Sequence, residues 1–348
     1  MYRRALTAFV YTPLFVLSLV IAGCGESVEQ PVQQKPRLRF AQLPISDSAV
    51  TQLALLRGFI KESGLDYIAI SVPAGPDEVT ALRTSGVAGA DAGGIAITPV
   101  VTMIGAKDDP VVIASTLRSQ YSAQLVTFDS TGITDNPSSL RGKRIGVVRN
   151  TVGDIYLYKL LKKGGLSEKD IVLVNGRPPE LRALLIRGDL DAAILWDPFL
   201  RQAVKGYRKG LADKTATSRG EPRILVDPTL HTQIFNVVTT RSKLTKKREA
   251  LTGFLRALIQ AERYVNENKV DAQTQLEAWL NLEKGDLADV FAKTEYRVSL
   301  DVPYIKEHLR DQLQWLRVPR PDAFVPDNLS TYVDASLLKA VDAGRVVE

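Results

Sequence analysis

The sequence predicts an α/β protein built from two lobes of related plan. Short apolar runs alternate with amphipathic stretches along most of the chain, the pattern of parallel strands joined by crossover helices. The pattern also restarts. "DEVTALRTSGVAGADAGG" (77–94) is echoed by "PELRALLIRGDLDAAIL" (179–195), each a helix, a glycine stop, then "ADA" or "LDA" entering a strand. The length of 348 residues suits about two domains of roughly 150 residues.

The N-terminus stands apart from the fold. "MYRR" is followed by the uncharged, mostly apolar run "ALTAFVYTPLFVLSLVIAG" (5–23) and then Cys24. The order basic, apolar, small, cysteine resembles a bacterial lipoprotein signal, in which the thiol is lipidated and cleavage leaves the cysteine first. That resemblance implies a signal peptide at 1–23, lipidation at Cys24 and a polar, Pro-containing tether at 24–36. A membrane-spanning anchor is the alternative, since about 19 apolar residues just cross a bilayer, although Pro13 interrupts the run. Cys24 is the only cysteine, so the domain beyond it is expected to work outside the cytoplasm without a disulfide or a thiol nucleophile. Losing Arg3 and Arg4 with the signal leaves 43 basic against 39 acidic residues, a net +4. That excess is dispersed, with no basic stripe of the kind that binds nucleic acid.

Taken in order, 38–43 reads as a strand, 49–64 as a helix closed by Gly64, 67–72 as a strand, and 77–86 as a helix with a glycine stop. Strands follow within 89–96 and 110–116. The second lobe gives a strand leading from 138–148, a helix at 151–165, a strand at 170–175, a helix at 179–188 and a strand at 191–196. In its first helix Leu157, Leu160 and Leu161 share a face, and Lys162 and Lys163 complement the C-terminal dipole. A strand at 233–240 returns to the first lobe. Residues 245–345 read as helical, with Leu251, Phe254, Leu255, Leu258 and Ile259 at i, i+3, i+4, i+7 and i+8.

The catalytic inventory points away from an enzyme. His231 and His308 are the only histidines and stand 77 residues apart with no metal-binding spacing. There is no G-x-S-x-G, no phosphate loop of the G-x-x-x-x-G-K type, and "GADAGG" is not a dinucleotide fingerprint. No cofactor or metal is implied. Ligands of open α/β sheets sit beyond the C-terminal ends of the strands. Those ends here carry Ser46 and Asp47, Gly93 and Gly94, Thr116 and Arg118, Asn150 and Thr151, and Trp196 and Asp197. Two lobes whose strand ends face one another would gather these residues in a cleft. Structural readings stand beside the functional ones. Ser46, Asp47 and Asp197 suit helix or turn caps, the two glycines suit a turn, and Thr151 with Asp154 makes a capping box. Trp196 suits a core, and arginines are most often solvated.

From "LRGKRIGVVRNTVGDIYLYKLL" (140–161) through "ELRALLIRGDLDAAILWDPF" (180–199) the chain resembles the nitrate/sulfonate/taurine branch of ABC-transporter solute-binding proteins. "LQWLRVPRP" (313–321) and "NLSTYVDASLLKAV" (328–341) are similar to that family's ending. The resemblance implies a periplasmic-binding fold of the second type with a C-terminal helical region. Lobe 1 would comprise 37–128 and 229–348, and lobe 2 would comprise 129–228. The implied hinge lies near 124–130 and 229–235. It further implies an extracytoplasmic, monomeric receptor that closes on a small solute and delivers it to an ABC permease with its ATPase. The five pairs of strand-end residues above match that family's ligand loops. "RNTVGD" and "PISDSA" depart from it, being poorer in hydroxyls and carrying Asp154 and Asp47. Acids and arginines mixed around one cleft disfavour a plain inorganic anion and lean toward a zwitterionic or heteroaromatic solute. A sulfonate or taurine-like compound is the family default, and a thiamine-precursor pyrimidine, bound or made on the same fold, stays open.

Overall fold

The computed structural model describes residues 35–348. The expected signal peptide, Cys24 and most of the 24–36 tether lie outside the described residues. Twelve strands follow in chain order. They are β1 (Arg37–Gln42), β2 (Asp66–Ser71), β3 (Ala92–Ala96), β4 (Pro110–Ser119), β5 (Gln124–Phe128) and β6 (Arg144–Val147), then β7 (Val172–Asn175), β8 (Ala192–Leu195), β9 (Pro222–Leu225), β10 (Gln233–Thr240), β11 (Thr294–Asp301) and β12 (Val346–Val347). Of the helices, α1 (Ala49–Leu56), α2 (Phe59–Glu62), α3 (Gly75–Arg83) and α4 (Ile97–Gly105) precede the first crossing between lobes. Next come α5 (Val152–Lys163), α6 (Pro178–Arg187) and α7 (Phe199–Ala212), then α8 (Arg241–Lys246), α9 (Arg248–Glu267) and α10 (Lys269–Trp279). The last are α11 (Ala288–Lys293), α12 (Val302–Leu316) and α13 (Ser336–Val341).

The strands form two sheets, in the orders β12-β11-β4-β10-β3-β1-β2 and β7-β6-β8-β5-β9. Each sheet is mixed rather than purely parallel. β1 pairs in parallel with β2 and β3, and β6 with β7 and β8, as the strand–helix–strand pattern predicts. β10 runs antiparallel to β3 and β4, and β5 antiparallel to β8 and β9. A strand that arrives from the other lobe has no crossover helix to make it parallel, which is why alternation alone misses this.

That pairing also moves the boundaries. β5 belongs to the second sheet, so the first crossing lies at 120–123, upstream of the expected 128/129 boundary and of the hinge placed at 124–130. The return crossing covers 226–232, between β9 and β10. The expected 49–64 helix breaks at Gly58, whose φ of 82° is left-handed and cheap only for glycine. The 77–86 helix is displaced toward its N-terminus, starting at Gly75 with Pro76 in its first turn. α4 was not anticipated, and the supposed helical tail contains β11, whose inward residues Tyr296, Val298 and Leu300 alternate with period two.

The core follows the apolar faces. Leu251, Phe254, Leu255 and Leu258 of α9 are fully buried, and Phe254 meets Phe40 of β1 with ring centroids 4.7 Å apart. In the second lobe Phe128 of β5 packs on Tyr207 of α7 at 4.3 Å. Among the described residues no helix is long and apolar enough to cross a membrane, and no group of three or more His, Cys, Asp and Glu side chains is placed to hold a metal.

Candidate functional site

The two sheets present their strand ends to one another across a narrow cleft. Direct bonds bridge its edges. The Ser46 N–H of lobe 1 donates to the Asp197 carbonyl of lobe 2 at 3.2 Å. Among the described residues five ion pairs join the lobes farther out: Asp77 with Arg177 (3.0 Å), Asp289 with Arg201 (2.5 Å), Asp286 and Glu283 with Lys205 (2.6 and 3.2 Å) and Asp311 with Lys159 (2.9 Å). In every one the acid comes from lobe 1 and the base from lobe 2.

Inside these bonds lies a cavity of about 30 Å³, which holds about one water. Lobe 1 lines it with Leu43, Ile45, Asp47, Glu78, Gln233 and Phe235, among others, and lobe 2 with Thr151, Val152 and Trp196. No lysine, arginine or histidine lines it.

Asp47 sits in the turn after β1 and is bonded to the first crossing and to the start of β10, just past the second. Its Oδ1 accepts from the Ser122 hydroxyl at 3.1 Å and its Oδ2 from the Gln233 amide at 3.2 Å. Burial pushes its carboxyl up to about 6, against the pull of these bonds. Trp196 follows β8 and is 7% exposed, and its indole N–H has no partner. The Thr151 hydroxyl is already committed, donating to the Val148 carbonyl at 2.7 Å and accepting from the Gly153 N–H at 3.2 Å. It caps α5, whereas Asp154 reaches past it to the Asn150 N–H at 2.8 Å and to Arg149 at 2.9 Å. The expected capping box is therefore only half formed.

The other expected residues divide. Asp197 is buried beneath the cavity wall and takes the Arg201 N–H and guanidinium at 3.3 and 3.4 Å. Burial raises its carboxyl to about 6, and Arg201 offsets part of that. Asn150, in the left-handed region at φ 62°, lines an outer groove with Asp77 and Arg177 rather than the cavity. Gly93 and Gly94 lie inside β3, where an added Cβ on Gly94 would stand 3.0 Å from the Phe235 ring. They serve close packing, not a turn. Thr116 is buried in β4 and donates to the Phe235 carbonyl at 3.3 Å. Arg118 faces α12, pairing with Asp301 at 3.6 Å and covering the Tyr304 ring at 4.1 Å. These four do not line the cavity and pack within lobe 1 instead. β3 and β4 each run farther than their apolar letters suggest, so their cleft ends come later than expected.

Sequence reasoning missed Glu78, Gln233 and Phe235. Glu78 on α3 is completely buried, and neither carboxylate oxygen has a partner. Burial, with Asp77 beside it, holds its carboxyl well above the usual range. The signal was available, because Glu78 occupies the i position of a stripe continued by Ala81 and Leu82, an acid on the buried face of a helix. Gln233 and Phe235 begin β10, whose cleft end was not considered.

Comparison with known proteins places this geometry. The family model described as "NMT1/THI5 like" matches residues 46–272, well over half the chain. A 4-amino-5-hydroxymethyl-2-methylpyrimidine phosphate synthase of Saccharomyces cerevisiae is 33% identical over 144 residues, 41% of this chain and 40% of the relative. The chain thus spans about 40% of the length of the synthases it matches. Among solved structures, the alkanesulfonate-binding protein SsuA of Xanthomonas axonopodis pv. citri superposes with a TM-score of 0.69 at 18% identity, covering 87% of this chain and 99% of that one. The periplasmic nitrate-binding protein NrtA of Synechocystis gives 0.67 at 13% identity, covering 89% of each chain. Two mixed sheets joined by two crossings, with strand ends meeting at one cleft, carry the type II periplasmic-binding fold, and the chain belongs to the NMT1/THI5-like family.

Proposed function

We propose that the protein is the extracytoplasmic solute receptor of an ABC importer, tethered through lipidated Cys24, monomeric, and handing a small organic solute to a permease and its ATPase. One observation carries this reading. Among the described residues, three of the polar side chains that line the cavity between the lobes carry buried hydrogen-bonding atoms without a partner, namely Glu78, Trp196 and Gln233. Buried polar groups are nearly always paired, so three orphans around one cavity mark a surface made for another molecule. In this reading the lobes part and close about 120–123 and 226–232. Asp47 and Trp196 contact the solute, while Ser46, Thr151 and Asp197 hold the loops that carry them. The solved neighbours, named for alkanesulfonate and nitrate binding, lend support to solute capture in general.

A synthase of the pyrimidine type is the second reading, favoured by the likeness to the yeast enzyme. Against it, the cavity offers no histidine and no thiol, and His231, though buried, does not line it. Native mass spectrometry of the purified chain, with a thermal-shift screen of small metabolites, tests the first reading. One saturable ligand recovered unchanged supports it. A ligand converted on incubation transfers the protein to the second, and a cleft that takes up nothing from the screen overturns both.

A further inference from the structure

We propose that a cavity inside lobe 2, away from the interlobe cleft, is a second ligand site, and that it takes a compact apolar ring carrying one neutral hydrogen-bond acceptor such as a ketone. This goes beyond the solute-receptor reading and does not rest on it.

The cavity has a volume of about 300 Å³, against about 30 Å³ for the one between the lobes, and the two share no residue. Pockets for small organic molecules start at about that size. It is walled by β5, the 133–140 connection, α5, the end of β9 and the start of the return crossing. Leu125, Ile133, Leu140 and Tyr156 line it and are at most 2% exposed, so its floor belongs to the core of the lobe. Half-buried Leu160 and Leu225 continue the apolar wall. Protein cores hold few voids larger than a water molecule. An apolar void stays dry and takes up apolar molecules that match its size.

One buried polar group sets the ligand class. The Tyr156 hydroxyl accepts the Asp227 N–H at 2.8 Å, but its own proton reaches no acceptor among the described residues. Burial pushes its pKa up, so the proton stays in place. A buried tyrosine hydroxyl with a free donor calls for an acceptor. Charge at the mouth favours a neutral one. Lys163, half exposed there, is paired with Asp227 and holds that carboxyl below its usual range. Its charge is therefore already matched, and the exposed Asp135 adds an acid to the lining. One base against two acids disfavours an anion, and a cation would leave the Tyr156 proton unmet. An apolar ring with a carbonyl oxygen satisfies the leucine and isoleucine walls and the hydroxyl together.

The test is calorimetric titration of the full-length chain with acetophenone, toluene and benzoate. Acetophenone should bind most tightly, toluene more weakly and benzoate not at all. Tyr156→Phe should weaken acetophenone about fivefold, the effect expected of one neutral hydrogen bond, and leave toluene unchanged. Leu160→Trp should fill the cavity and abolish binding of both rings. Leu225→Phe, on the edge strand β9, makes the same test if the first variant does not fold, and thermal unfolding without probe reports the folding of each. Benzoate binding in preference to acetophenone overturns the inference. So does a Tyr156→Phe variant that binds acetophenone as wild type does, or that loses both rings equally. Acetophenone binding that survives the filling variants lies elsewhere and overturns the site. Failure of all three probes overturns it as well, while the metabolite screen decides solute capture separately.

Discussion

The two walls of the cleft are unlike. Lobe 1 brings two buried carboxyls and an amide, Asp47, Glu78 and Gln233, while lobe 2 brings an indole and a hydroxyl that is already satisfied. Outside the cleft the asymmetry keeps its sign, with acids on lobe 1 and bases on lobe 2 in all five bridging ion pairs among the described residues. The difference teaches a division of labour. On the solute-receptor reading, exposed charge would pull the lobes together, and buried acid on one wall would set what they close upon. Neither wall makes a site alone, since the aromatic surface and the acceptors meet only when the lobes do.

Removing the indole should break this arrangement most severely. Trp196→Ala is expected to weaken solute binding by about 1–3 kcal/mol. Because Trp196 is 7% exposed, it should also cost the unliganded fold about 3 kcal/mol or more. Titration and thermal unfolding of one preparation separate the two losses, and full stability with lost binding would place the indole at a rim instead. Next, Gly94→Ala should destabilise by about 1–3 kcal/mol, because its Cβ would crowd the Phe235 ring at 3.0 Å. The folded fraction should bind solute normally, which distinguishes packing residues from cleft residues.

On the acid wall the contrast appears as pH dependence. Glu78 holds its proton in the native state to a higher pH than in the unfolded chain. Its ionisation penalty is therefore absent at acid pH and grows as pH rises past the unfolded value. Without solute, Glu78→Gln should be more stable than wild type, and melting curves should show the gap widening from pH 5 to 8. Comparing the variant with wild type cancels His231, which burial lowers to about 3 and which acts in the opposite sense. The smallest effect belongs to the outer charges. Lys159→Met should change stability by less than about 1 kcal/mol, as exposed pairs do. Together with raised salt it should shift small-angle scattering toward a more open molecule, and no shift would mean that the outer pairs do not govern closure.

Much of this was legible in the sequence, and the failures are instructive. Period placed α5, α6 and α9 closely, because each buries one face with the expected spacing, and an apolar, β-branched run placed β10, which is buried on both faces. Asp47, Thr151 and Trp196 line the cavity because each follows a strand, β1, β6 or β8, that the sequence placed closely. β11 was missed because eight residues of alternation were hidden among helices, and the crossing at 120–123 because sheet membership is decided by distant partners. Gly93, Gly94, Thr116 and Arg118 do not line the cavity, because letters do not show how far a strand extends. Glu78 was overlooked for a different reason. An acid on an apolar stripe reads as a blemish in the pattern until burial shows it has no partner.

Asp47 is bonded to Ser122 on one crossing and to Gln233 at the end of the other. It is thus a tie-rod between the two connections about which the lobes are proposed to swing, set in the wall of the cleft. Any bend at the crossings must stretch or release it. On the solute-receptor reading, a molecule there that competes for the same oxygens would change the stiffness of the swing as well as its resting angle, so contact and motion would be one event at a single side chain.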